Sequence, residues 1–166
     1  MGLLTARVLE SLAAGTPAAA ARRIWEADPG RPAGNGAVIR CAPVALRWRR
    51  SGHRLVETAR RSAIVTHWDP RCVWSVVCVA EIVALGLDER VVEIETLARA
   101  FERAGAPETV VVAIREADGA GLDDLALDDP ARMGYTLKAM QVALWAARLA
   151  DRLYRASLAE PGDRPT

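Results

Sequence analysis

The sequence predicts an all-α fold. Three observations carry that expectation. Apolar residues recur at helical spacing in several segments, and two pairs, Thr16-Pro17 and Asp69-Pro70, read as helix starts. One apolar run, residues 72–87, suits a buried central helix. With 166 residues, 51% of them hydrophobic, the chain is long enough to bury one real core. The expected organisation is a single helical domain over residues 1–155 and a disordered tail over 156–166, which ends in "EPGDRPT".

The first helix follows from Leu4, Val8 and Leu12 at i, i+4 and i+8, with Gly15 at its C-terminal end. Thr16 then caps a second helix that has proline in its first turn and stops at Pro29-Gly30. Pro43 interrupts the next apolar segment, because it lacks an amide donor and crowds the carbonyl of Ile39. Ser51-Gly52 turns the chain into "HRLVETARRSAI", and Asp69-Pro70 starts the central run. Two more helices are expected near 88–104 and 106–117. The β-branched stretches "RVVEIE" and "ETVVVAIRE" leave strands, and so an α/β fold, as the alternative there. The last helix begins near Gly134-Tyr135 and presents Leu137, Met140, Leu144, Ala147 and Tyr154 at helical spacing. Asp151 and Arg155 are placed to pair across one of its turns.

Charge and cysteine content exclude several classes. A net charge of +1 lacks the basic surplus that drives phosphate-backbone binding, so no nucleic-acid partner is expected. The central run contains Glu81 and is short for a bilayer, so no membrane span is expected. Cys41, Cys72 and Cys78 match no zinc spacing and read as reduced, buried thiols of a cytoplasmic protein.

Gly34-Asn35-Gly36 has two readings. Asn35 suits a helix cap that accepts from amides two or three residues on. The same bare backbone also lets a phosphate or ribose approach. His67, before the Asp69-Pro70 start, is placed to donate either to a ligand or to a nearby carbonyl. His53 reads as a surface residue, and Cys72 has no neighbouring base. Asp123, Asp124, Asp128 and Asp129 lack the spacing of a calcium loop and read as a solvated acidic stretch, with Asp129 as a cap before Pro130. Glu93 and Glu95 fall on different helical faces, which leaves paired acid–base chemistry unsupported. Among the five tryptophans, Trp68 beside His67 is a candidate for stacking on a base, as is Tyr135.

Three segments, "AGNGAVIRCAPVAL", "SAIVTHWDPRCVWSVVCVAEIVALGL" and "GYTLKAMQVALWAA", resemble in order and spacing those of the ADP-ribosylglycohydrolase family. The resemblance implies a compact orthogonal all-α domain of that type, which resolves the strand alternative toward helices. It also implies removal of ADP-ribose from a modified protein side chain or related conjugate, with a pair of magnesium or manganese ions activating water. By motif match, Gly34, Asn35 and Gly36 fall on a loop lining the ADP-ribose cleft. His67 falls on a position contacting phosphate or ribose, and Gly134 and Tyr135 begin a helix facing the same cleft.

The family's metal ligands lie in an early Thr-Asp-Asp-Thr and a late Asp-Thr-Asp-Thr motif, and neither occurs here. The expectation is therefore a domain truncated at both ends, with no cofactor of its own and inactive alone. The alternative is a non-catalytic remnant that binds ADP-ribose or a protein partner through the same surface; the resemblance implies ADP-ribose or an ADP-ribosylated protein as the partner. Missing flanks would also bare Val76, Val79 and Val83, giving apolar faces for association.

Overall fold

The computed structural model describes residues 2–12, 15–29, 33–125, 129 and 134–158. Eight α-helices appear among them: α1 (Leu3–Glu10), α2 (Pro17–Ala27), α3 (Ala42–Trp48), α4 (Gly52–Ile64), α5 (Pro70–Leu87), α6 (Ile94–Arg103), α7 (Glu108–Glu116) and α8 (Thr136–Leu158). No strand is present among the described residues. The segments left open above resolve as helix α7 for 108–116 and as a loop running into α6 for 90–95. Packing decides this against β propensity: α7 buries Val110, Val111, Ala113 and Ile114 on one helical stripe.

Helix starts follow the sequence logic. Thr16 accepts from the Ala19 amide at 3.3 Å, and Asp69 accepts from the Arg71 amide at 2.8 Å. Pro43 falls in the first turn of α3, where its missing donor is harmless, and a short 3-10 turn (Val38–Arg40) precedes it. The last helix runs through Leu158, past the boundary expected at 155, and residues 159–166 lie outside the described ones. Asp128 and Pro130 do as well, so the cap expected at Asp129 falls largely outside the described residues.

Helix α5 is the axis of the bundle. Its 18 residues have a mean hydropathy of 1.7, enough by length and composition for a membrane span, yet 61% of them are buried within the fold. Helices α3, α4 and α8 pack directly on it, α7 touches it, and α6 packs on α7. The apolar faces expected to lie bare are therefore covered: Val76 and Val79 are buried, and Val83 is half-buried against the same core. Neighbouring helices within the chain do the covering, so this is a correction to the association expected through those faces.

Two polar side chains fix α8 on α7. Gln141 donates to the Ala113 carbonyl and to Glu116, each at 3.1 Å. Arg148 donates to the Ala117 carbonyl at 3.1 Å and pairs with Asp118 at 2.9 Å, neutralising the negative end of α7. A second, smaller cluster of Val8, Ala20 and Ala21, flanked by Ile24 and Trp68, joins α1 to α2 apart from the main core.

Helices α5 and α6 end alike, with the amide two residues past the cap reaching back into the last turn. Arg90 donates to the Leu85 carbonyl at 2.9 Å, and Ala106 donates to that of Phe101 at 3.0 Å. The pivotal residue is Gly105 in one case (φ +78°) and Glu89 in the other (φ 54°). A side chain at such a φ costs about 1–2 kcal/mol, partly offset by the entropy glycine loses on folding. Glu89→Gly should therefore stabilise the protein by about 0.5–1 kcal/mol, measured by urea unfolding.

Candidate functional site

The loop at residues 33–36 is held by α8 rather than by its own helix. The Asn35 amide donates to the Gly134 carbonyl, and the Thr136 amide donates to that of Ala33, both at 2.8 Å. These bonds form an isolated antiparallel bridge between Gly34 and Tyr135. Gly134 makes the necessary turn with φ +96°, a region open to glycine. From below, the Cys72 thiol donates to the Gly34 carbonyl at 3.4 Å.

This arrangement overturns the cap reading of Asn35. The 3-10 turn after it has Ala37 at its cap position and receives no side-chain bond. The Asn35 carbonyl, not its side chain, accepts from Ile39 at 3.3 Å. Because the bridge already fixes the loop, the carboxamide makes no hydrogen bond among the described residues and borders a cavity of about 650 Å³.

His67 packs beneath the glycines. A β-carbon on Gly36 would sit 3.1 Å from its Cε1 and 3.2 Å from its Nε2, whereas one on Gly34 would meet Nε2 at an ordinary 3.6 Å. Gly36 is thus required by close approach and not by its φ. On the other edge of the ring, Arg40 donates to Thr66 Oγ1 and to the Ser62 carbonyl. Thr66 Oγ1 lies 2.7 Å from His67 Nδ1. With Arg40 supplying the bond that Thr66 accepts, the hydroxyl proton goes to Nδ1. A proton on Nδ1 instead would leave the buried Thr66 hydroxyl hydrogen without an acceptor among the described residues. The imidazole is thereby fixed as the neutral Nε2–H tautomer, with that donor at the cavity edge. Burial, then the nearby Arg40 charge, lower the His67 pKa from 6.5 to about 4, against an opposing pull from Asp69.

All six residues singled out by motif, Gly34, Asn35, Gly36, His67, Gly134 and Tyr135, line this one cavity. The predicted aromatic Trp68 lines it too. Sequence reasoning missed Trp25, Arg7 and Ile39 on its walls, since nothing in α1 or α2 marks which face meets the loop. Its volume falls in the range of small-molecule sites. Behind two of the lining residues, Arg71 grips Asp69 Oδ2 at 2.7 Å and Oδ1 at 3.0 Å while its guanidinium lies 5.9 Å from the Tyr135 ring centre.

Other candidates stay outside. Burial and then Asp69 push the Cys72 thiol up to about 12, so it is a protonated prop and not a nucleophile. Glu95 pairs with Arg99 and Arg115 on the surface, and Asp124 accepts from the Gly121 amide at 2.8 Å within its own turn. No group of three or more His, Cys, Asp or Glu side chains gathers for a metal ion among the described residues. Among the described residues the cavity's carboxylates are Asp28 and Asp69, and Asp69 has both oxygens on Arg71. These residues do not fit a two-metal centre.

Comparison with known families places this geometry. The ADP-ribosylglycohydrolase family model matches residues 1–160, and the chain belongs to that family. No curated protein and no solved structure matches the chain.

Two outcomes test the site's construction. Gly36→Ala should cost about 1–3 kcal/mol through the His67 ring, while Gly34→Ala should cost less than about 1 kcal/mol, both read by urea unfolding. Because folding depresses the His67 pKa, the unfolded chain takes up its proton first as pH falls. The ring's contribution is complete above pH 6.5 and is lost as pH falls through about 4. The stability advantage of wild type over His67→Gln should therefore shrink by roughly 2–3 kcal/mol between about pH 7 and pH 4. Burial raises the Glu81 pKa, which acts in the opposite sense but equally in both proteins.

Proposed function

We propose, with membership of the ADP-ribosylglycohydrolase family as premise, that this chain recognises the ADP-ribosyl group of a modified protein in the cleft between the 33–36 loop, α2 and α8. The observation that carries this reading is the pair of donors left without protein partners at one cavity edge: the Asn35 carboxamide and His67 Nε2–H. Neutral donors at that position suit phosphate oxygens and ribose hydroxyls. Trp25, Trp68 and Tyr135 supply apolar walls for a planar base. Thr66 and Arg40 act through His67 by fixing its tautomer.

Two divalent ions, magnesium or manganese, would supply the activated water in this family's chemistry. The residues present do not fit that pair, since both aspartate motifs are absent from the sequence. The reading is therefore a binding half: capture of the ADP-ribosyl group by these residues, and its release only where metal-holding carboxylates are supplied from outside this sequence. The unbridged, buried cysteines support a reducing, cytoplasmic setting.

Titration calorimetry with ADP-ribose tests recognition. Saturable binding without added metal is expected, and Asn35→Ala and His67→Ala should each weaken it roughly ten- to hundredfold, the value of a bond to a charged group. Absence of binding by the folded wild type would remove the proposal. Release of ADP-ribose from a modified protein by this chain alone, with magnesium or manganese, would overturn the division of labour.

A further inference from the structure

The overall charge of +1 conceals a strong segregation. Residues 40–61 hold seven arginines against one glutamate, while residues 88–129 hold twelve acidic side chains against four arginines. The basic stretch forms the α3–α4 elbow. There Arg47, Arg50 and Arg54 are exposed and have no carboxylate partner among the described residues. Arg49, by contrast, pairs with Asp88 at 3.1 Å, and Arg61 pairs with Glu57 at 3.5 Å.

The elbow also has shape. The guanidiniums of Arg47 and Arg54 lie 4.2 and 5.0 Å from the centre of the half-buried Trp48 ring. A concavity of about 320 Å³ opens between Leu46 and Ser51, and Leu46 on its wall is 56% exposed. The surface thus has an apolar floor and an arginine rim. A short stretch of chain links it to the cleft: Ile39 lines the cleft, and the elbow concavity begins at Leu46, seven residues on.

We infer that the α3–α4 elbow is a docking surface for a short acidic polypeptide segment carrying an apolar side chain, borne by the protein whose ADP-ribosyl group enters the cleft. Arginine forks suit carboxylates in pairs, and the apolar floor takes the intervening side chain. A polypeptide fits better than a nucleic acid on charge grounds. Outside residues 40–61 the chain is net acidic, so a long polyanion leaving the elbow meets repulsion, whereas a short acidic segment ends within the patch. The inference rests on the reading of the cleft as an ADP-ribosyl site, but its test addresses the elbow alone.

Fluorescence anisotropy with a labelled Asp/Glu dodecapeptide bearing a central leucine provides that test, alongside a neutral peptide and an oligouridine of equal length. The acidic peptide should bind wild type in a salt-sensitive manner and more tightly than either control. The triple variant Arg47→Ala, Arg50→Ala, Arg54→Ala should weaken it by about tenfold, and Arg50→Glu alone by about threefold. Arg50 makes no side-chain hydrogen bond, ion pair or ring contact among the described residues, so Arg50→Glu reports on the patch even if loss of the Trp48 contacts disturbs the triple variant. Calorimetry with ADP-ribose should be unchanged in Arg50→Glu, which separates failure at the elbow from failure at the cleft. Equal binding of the neutral peptide, tighter binding of oligouridine, or indifference to Arg50→Glu would each overturn the inference. So would sedimentation showing a dimer that Arg50→Glu dissolves, since a second copy would then be the occupant.

Discussion

The cleft exists because two backbone hydrogen bonds join segments about a hundred residues apart. The bridge between Gly34 and Tyr135 fastens the 33–36 loop to the start of α8, and α8 is itself pinned to α5 and α7. Without those bonds the loop would have to satisfy its polar groups locally, and Asn35 is the residue best equipped to do so. With them in place, its side chain is released from structural duty. The constraint converts an ordinary capping residue into a free donor.

A second dependence runs through His67. The ring has room only because Gly36 lacks a side chain, and its tautomer is set from behind by Thr66 and Arg40. Burial keeps it neutral, so what it offers a ligand is a hydrogen-bond donor and not a cation. The Asp69–Arg71 pair serves a similar purpose below, where one carboxylate caps α5 and holds the arginine under Tyr135.

Much of this was legible in the sequence, for identifiable reasons. Thr16-Pro17, Asp69-Pro70 and the apolar run after it mark helices by local chemistry alone, and those helices form as read. Segment 108–116 was ambiguous because β-branched residues dominate it, and only its packing against α5 and α8 makes it a helix. The role of Asn35 was misread because a cap is a local inference, while the bond that displaces it comes from Gly134. Val76 and Val79 were expected to lie bare for a like reason: which helix covers which face is a tertiary fact. Net charge was silent on segregation, since a sum near zero does not say where the arginines lie.

These placements bear on how chemistry divides in this fold. Under the proposed reading, the residues that would hold a ligand by hydrogen bonds and stacking come from the 33–36 loop, the end of α4 and the start of α8, all braced on α5. Metal-assisted cleavage asks for something different: several carboxylates converging with free oxygens. Of the two carboxylates lining the cavity among the described residues, Asp69 is already occupied with Arg71, and freeing it would release both the α5 cap and the arginine beside Tyr135. The framework that shapes the cavity therefore keeps Asp69 paired with Arg71 and away from a role as metal ligand. Under the reading proposed above, recognition and cleavage are separable for that structural reason.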